Sequence, residues 1–168
     1  MRAVGIILAV GVALALQTTL ARYVRGTVAL DLVLVVVVYV ALISGPVAGL
    51  LTGTFAGLVQ DALATGVIGI GGLAKTVVGF AAGVIGTQFI VAQPLPRFFV
   101  FFAATLLHAV IFIGLYVLLD LRHFGAPYAA VAGQAAGNAA VGVVAFQLAE
   151  LLPGAVERRR AAKGRLRR

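Results

Sequence analysis

The sequence has no cysteine and only one serine, Ser44. Without cysteine, the chain has no disulfide, no thiolate metal site and no cysteine nucleophile. Neither histidine has an evident acid or nucleophile partner in the sequence, and no zinc, phosphate-loop or dinucleotide motif is present. The sequence therefore predicts a protein that is not an enzyme and that needs no cofactor and no metal.

Charged residues are also scarce. They make up 11% of the 168 residues, whereas 62% of the residues are hydrophobic, and the mean hydropathy is +1.14. A soluble domain averages about 25% charged residues. The composition therefore predicts an all-α integral membrane protein.

The net charge of +8 is concentrated at the C-terminal end of the chain. Next to a membrane span, a basic segment typically marks the cytoplasmic side and contacts anionic lipid, so we expect a lipid contact and no nucleic acid. Residues 153–168 are interpreted as a basic cytoplasmic tail. Its cations are Arg158, Arg159, Arg160, Lys163, Arg165, Arg167 and Arg168.

Apolar segments in residues 1–152 predict one domain of about six transmembrane helices. The second and third segments are short for a bilayer of about 30 Å, and only Ser44, Gly45 and Pro46 interrupt them. If residues 30–60 crossed the membrane once, the chain would have five spans, with its termini on opposite sides. The predicted helices cover residues 3–20, 30–43, 46–60, 73–91, 98–119 and 128–152.

Six spans place both termini on the same side of the membrane. With the termini in the cytoplasm, Arg2, Arg97 and the seven tail cations lie inside, against Arg22, Arg25 and Arg122 outside. Nine cations against three favour this orientation, because cytoplasmic segments are enriched in Lys and Arg.

Small residues recur every fourth position in the third and fourth predicted helices. Residues four apart share one helix face, and a smooth face lets two helices pack closely in a bilayer. The pattern predicts a tightly packed antiparallel helix pair or a surface that binds a partner. Its glycines are Gly45, Gly49, Gly53, Gly57, Gly79 and Gly83, and the same spacing includes Asp61 and Lys75.

Asp61 and Lys75 are predicted to face each other near one membrane surface. Asp61 ends one helix and Lys75 begins the next, so each has the wrong sign for its own helix dipole, and pairing would relieve both. One interpretation is a salt bridge that fixes the helical hairpin. The other is a site for a polar ligand, ion or partner, because charges inside a membrane often serve function.

Further polar residues lie in the last two helices. Asn138, Gln134 and Gln147 are predicted to form hydrogen bonds between helices, with a substrate contact as the alternative. His108 has no carboxylate at ligand spacing, which favours a packed or hydrogen-bonded histidine over a metal ligand.

A set of residues in the first half of the chain resembles the family of the rod shape-determining protein MreD. Two positions depart from that pattern: Ser44 replaces a common basic residue, and Gly71 and Gly72 replace bulkier ones, which predicts a looser start of the fourth helix. The matching residues are Asp31, Val40, Gly45, Pro46, Gly49, Gly57, Leu58, Asp61, Leu63, Gly66, Gly69, Leu73, Ala74, Lys75, Thr76, Gly79, Ala82 and Gly83.

The resemblance implies a non-enzymatic, multi-pass protein of the bacterial inner membrane that acts in cell elongation and peptidoglycan synthesis as a scaffold or regulator. It implies direct binding to MreC, and a complex with MreB, RodA and penicillin-binding protein 2. Its fold would be similar to the substrate-binding component of energy-coupling-factor transporters. Asp61, Lys75 and Thr76 would fix the hairpin or bind the partner.

Two other functions stay open at this point. The first is a true substrate-binding component of a vitamin transporter, which needs a cavity lined by several polar or aromatic side chains. The second is an ion-coupled carrier that uses Asp61 and Lys75. Apart from Asp61, Lys75 and Asn138, the sequence offers few polar residues that could line a ligand pocket.

Overall fold

The computed structural model describes the backbone of residues 3–23, 30–64, 66–89, 93–121 and 128–165, and their side chains apart from residues 21–23 and 152–165. Within these ranges there is no strand, so the predicted all-α fold is confirmed. The helices are α1 (Ala3–Tyr23), α2 (Leu32–Ser44), α3 (Pro46–Leu63), α4 (Ile70–Gln88), α5 (Pro94–Leu118) and α6 (Tyr128–Arg165).

Among the helices of the described residues, four are long and apolar enough to cross a membrane, by length and composition. They are Ala3–Leu20, Ile70–Gln88, Pro94–Leu118 and Tyr128–Leu151. The second helix has only 13 residues, about 20 Å at 1.5 Å per residue. Residues 30–60 form two helices separated by one residue, as the Ser44 to Pro46 interruption predicts.

The turn between α2 and α3 depends on Gly45. Its φ of +87° lies in a region that favours glycine, and this residue is both the C-cap of α2 and the N-cap of α3. Pro46 follows at the first position of α3, where its missing N–H needs no helical partner. The chain therefore reverses within a very short segment.

Helix α3 runs antiparallel to both α2 and α4, so α2 and α4 are parallel to each other. At one end of the bundle, Gly83 of α4 lies against Pro46, and Gly86 lies against Leu42 of α2. At the other end, Asp61 of α3 contacts Gly71 near the start of α4. We call this second end, which contains Asp31, Asp61 and Lys75, the polar end.

Helix α2 is the centre of the bundle, since it contacts each of the other five helices. Its valine-rich sequence is apolar on all sides, which is typical of a helix surrounded by protein. Val33, Val37 and Val40 are fully buried, and Leu34 and Val38 are 1% exposed. The glycine-striped pair α3 and α4 therefore packs against a core that the valine run supplies.

Several predicted helix boundaries are wrong. Helix α4 begins at Ile70 rather than at residue 73, and α5 begins at Pro94 rather than at residue 98. Pro94 occupies the first turn of α5, where proline is well tolerated. Helix α6 was predicted to close at Pro153, but its backbone is helical to Arg165. Proline has a helical φ, so it can remain within a helix while one backbone hydrogen bond is lost.

An ion pair joins α5 to α6 at the end of the bundle opposite the polar end. The guanidinium of Arg97 pairs with the carboxylate of Glu150 and lies 4.4 Å from the ring centroid of Phe146. Phe146 also packs against Tyr39 of α2, with 4.5 Å between ring centroids. Arg97 is 6% exposed, so this cation serves packing within the bundle.

Candidate functional site: a buried ion pair beneath a polar cavity

Lys75 pairs with Asp31, and the predicted pair of Lys75 with Asp61 is wrong. The Nζ atom of Lys75 lies 2.8 Å from Oδ2 of Asp31, and both side chains are buried. The same Nζ atom lies 3.2 Å from Nε2 of His108. Because an ammonium group only donates hydrogen bonds, Nε2 is the acceptor when Lys75 is charged. The site thus joins α2, α4 and α5.

Asp31 has a second role as the N-cap of α2. Its Oδ1 accepts a hydrogen bond from the backbone N–H of Leu34 at 3.0 Å. A carboxylate at a helix N-terminus is stabilised both by this bond and by the helix dipole. One carboxylate therefore starts the central helix and neutralises the buried lysine.

A buried amide connects this cluster to α6. Oδ1 of Asn138 accepts from the backbone N–H of Asp31 at 3.0 Å, and Nδ2 donates to Oγ1 of Thr105 at 3.3 Å. Thr105 donates to the carbonyl oxygen of Phe101 at 2.9 Å. Asn138 is 0% exposed. The structure therefore agrees with the predicted role of Asn138 in hydrogen bonding between helices.

Asp61 caps the next helix instead of pairing with a lysine. Its Oδ2 accepts from the backbone N–H groups of Gly69 at 2.9 Å and Gly72 at 3.0 Å. Gly69, the N-cap of α4, has a φ of +105° and no side chain to cap the helix itself. The charge that is unfavourable at the end of α3 thus stabilises the positive end of α4.

The predicted glycine stripe lies between α3 and α4. A Cβ atom at Gly49, Gly53 or Gly57 would clash with the backbone of α4, and one at Gly79 would clash with the backbone of Gly49. Backbone contact of this kind needs residues without side chains. Five of the predicted positions therefore serve helix packing: Gly49, Gly53, Gly57, Gly79 and Gly83.

Gly71 and Gly72 tighten the start of α4, contrary to the expected loosening. A Cβ atom at Gly71 would meet the Asp61 carboxylate. A Cβ atom added at Gly57 would lie 2.5 Å from Cα of Gly72. Thr76 lies nearby, with its Oγ1 2.8 Å from Oγ1 of Thr54. This hydroxyl contact links α4 to α3 beside the glycine stripe.

Residues of α1, α3, α4, α5 and α6, together with Asp31 at the N-cap of α2, line a cavity of about 360 Å³ at the polar end. Ala64, exposed at the end of α3, is one of the lining residues, so the cavity reaches the protein surface. Its polar residues are Gln17, Asp31, Gln60, Asp61, Lys75, His108 and Gln134.

Sequence reasoning missed this cavity. Gln17 and Gln60 lie near the ends of apolar helices, and no helical period connects them with Lys75 or His108. One signal was available for Asp31, since an aspartate directly before a long apolar run is a typical helix N-cap. The other polar residues come together around the cavity because of the order of the helices in the bundle.

Other predictions have no further structural answer. Among the described residues there is no group of three histidine, aspartate or glutamate side chains that could hold a metal ion. The predicted orientation depends largely on Arg2, Arg22, Arg25, Arg122 and the tail cations, whose side chains lie outside the described residues. The division between a domain of residues 1–152 and a tail also stays a prediction.

These features define an all-helical membrane protein whose central helix is surrounded by five others and whose buried charges are paired inside the bundle. The family model of the rod shape-determining protein MreD matches residues 1–149. The chain therefore belongs to the MreD family, which is part of the MreBCD shape machinery, and its role is in rod shape determination. No curated protein and no solved structure matched the chain.

Proposed function

We propose that this protein is a non-enzymatic scaffold of the cell-elongation machinery and that it binds MreC directly. The family match over residues 1–149 carries the proposal. The packing of the bundle supports it, because the buried polar side chains of Asp31, Lys75 and Asn138 bond to one another or to neighbouring helices. Such a bundle offers a partner a rigid surface.

The outer face of α3 is the proposed contact surface. It carries Val47, Leu51 and Phe55, which are 68%, 61% and 46% exposed. These residues lie two positions from the glycines of the stripe, which is about 200° around the helix. By length and composition, α3 is not among the helices that are apolar enough to cross a membrane. A partner helix on this face would shield it from lipid.

Co-purification tests this proposal. Tagged protein is extracted from its own cells in mild detergent, and the proteins that accompany it are quantified by mass spectrometry. We expect MreC, with MreB, RodA and penicillin-binding protein 2 in the wider complex. Leu51→Trp should lower recovery of MreC at least about tenfold, the factor that corresponds to about 1.4 kcal/mol.

Val110→Trp is the matched control, because Val110 is 69% exposed on α5, away from α3. Unchanged recovery of MreC with Leu51→Trp would refute the α3 surface. Recovery of paired ATPases with their transmembrane coupler, and no MreC, would refute the scaffold and favour the transporter component.

We also propose that both termini lie in the cytoplasm, which directs the polar end to the outer side of the membrane. The chain lacks cysteine, so single cysteines can report orientation. Two single-cysteine variants are compared. Ile68→Cys places the thiol in the exposed α3–α4 connection, and Gln88→Cys places it at the other end of α4. An impermeant maleimide should label the first in spheroplasts and the second only after lysis. The reverse pattern would refute this orientation.

A further inference from the structure

The ring of helices around α2 is not closed. Helices α1, α3, α4, α5 and α6 all contact α2, and within the ring α1 contacts α3, α3 contacts α4, α4 contacts α5 and α5 contacts α6. Among the described residues, α6 and α1 do not contact each other. Helices have similar diameters, and six equal cylinders fit around a central one. Five helices therefore leave one position vacant, between α6 and α1.

One face of α2 is open at this vacant position. In residues 32–41, every residue is buried except Leu32, Val36 and Tyr39. Their spacing places them on one side of the helix, and Ile43, which is 48% exposed, continues the same side. Leu32 and Val36 border a cluster that contains side chains of α1, and Tyr39 packs on α6. The open face thus lies between α1 and α6.

Helix α1 borders the vacant position and is the least buried of the candidate spans. Only 11% of Ala3–Leu20 is buried, against 28% to 50% of the other three. Among the described residues, α1 contacts α2 and α3 and no other helix. Gly5 and Gly11 have open space around them, whereas the glycines between α3 and α4 meet another backbone. Small residues allow a second helix to approach closely in a bilayer, and within the chain no helix makes that approach to α1.

We propose that α1 of a second copy of the chain fills the vacant position. Two copies inserted in one membrane have the same orientation, so the two-fold axis that relates them lies along the membrane normal. An axis between the two α1 helices places each α1 against the open face of α2 in the other copy. One contact then closes both rings and covers both underpacked α1 helices.

This arrangement predicts which residues meet across the interface. Oε1 of Gln17 accepts from the backbone N–H of Val33 at 3.3 Å, which fixes the relative depth of α1 and α2. Away from this contact, Leu8 lies about 14 Å along α1 and Ile43 about 15 Å along α2, at 1.5 Å per residue. Leu8 is 63% exposed and lies two positions from the buried Val10, on the outer side of α1. Leu8 of one copy should therefore lie near Ile43 of the other.

Cross-linking between two differently tagged chains tests the proposal. The sequence has no cysteine, so one chain carries Ile43→Cys alone and the other carries Leu8→Cys alone. Both are reconstituted at low density in vesicles of phosphatidylethanolamine and phosphatidylglycerol and treated with a short bis-maleimide. We expect a product that carries both tags.

Phe99→Cys in place of Leu8→Cys is the matched control. Phe99 is 60% exposed on α5, and α6 separates α5 from the vacant position. Phe99 lies beside Arg97, at the same end of the bundle as Ile43, so it resembles Leu8 in exposure and depth. This pair should give only the background level of product. Equal product from the two pairs would mean random collision and would overturn the proposal.

Stepwise photobleaching of singly labelled chains in the same vesicles measures the oligomeric state. We expect two steps for the unaltered chain. Leu8→Trp should lower the association constant at least about tenfold, which corresponds to about 1.4 kcal/mol, and Phe99→Trp should leave it unchanged. Both positions are exposed in the single copy, so neither substitution disturbs its core.

Three results would overturn the proposal. The first is a monomer, which would leave the vacant position to lipid or to a helix of another protein. The second is a dimer without the cross-link between Ile43→Cys and Leu8→Cys, and the third is a dimer that Leu8→Trp does not weaken. The proposed contact with MreC uses the outer face of α3, so the dimer and the scaffold can fail separately.

Discussion

Substitutions at the buried pair of Asp31 and Lys75 can distinguish this pair from the Asp61–Lys75 pair that the sequence pattern predicts. Lys75→Met leaves the Asp31 carboxylate without its counter-charge in a buried position. Removing one partner of a buried ion pair costs about 3 to 5 kcal/mol. We therefore expect the free energy of unfolding to fall by that amount, measured by denaturant titration in mixed micelles.

A second substitution should restore most of the loss. Asp31→Asn removes the charge yet keeps an oxygen that can cap α2, since asparagine and aspartate are equally good N-caps. In the double variant neither charge is left unpaired. We expect a coupling energy of at least about 2 kcal/mol between the two sites in a double-mutant cycle.

Asp61→Asn is the control, because Asp61 is the partner that helix spacing alone predicts for Lys75. Asp61 bonds to Gly69 and Gly72 in the structure, so its effect should add to that of Lys75→Met within about 0.5 kcal/mol. Rescue of Lys75→Met by Asp61→Asn, with no rescue by Asp31→Asn, would refute the assignment.

Three further substitutions, one of them with a matched control, test the contacts of the bundle by the same unfolding titration. Gly53→Ala should destabilise the protein by about 1 to 3 kcal/mol, because the new Cβ would clash with the backbone of Lys75. Gly114→Ala is the control: it has open space around it and should stabilise the protein by about 0.5 to 1 kcal/mol. Equal effects of the two substitutions would contradict the close contact at Gly53. Asp61→Ala should cost about 1 to 2 kcal/mol by uncapping α4, and an unchanged stability would refute that cap. Asn138→Leu should cost about 1 to 3 kcal/mol by leaving the Asp31 N–H unsatisfied, and no loss would argue against this bond.

Much of the fold follows from local sequence. Long apolar segments predict the helices, and the four-residue period of Gly49, Gly53 and Gly57 predicts which face of α3 packs closely. Both signals act within one helix or between neighbours in sequence. Helix ends were less well predicted, because proline is acceptable both before a helix and in its first turn, as at Pro94.

The site depends on contacts between helices that are distant in sequence. Helical periodicity fixes the residues that share one face of α4, but it does not tell which helix that face meets. Lys75 could therefore be placed on the inner face and still be given the wrong partner. Gln60 and His108 come together only because α2 lies at the centre and orders the helices around it.

The hydrogen bond between Asp31 and Asn138 joins residues 107 positions apart. During synthesis, α2 leaves the ribosome long before the helix that supplies its last partner. Until α6 arrives, the N–H of Asp31 lacks its native acceptor and one side of the valine-rich helix lacks its native cover. Completion of the bundle therefore waits for the synthesis of α6, and chains that stop before residue 138 leave one side of their central helix without its native cover.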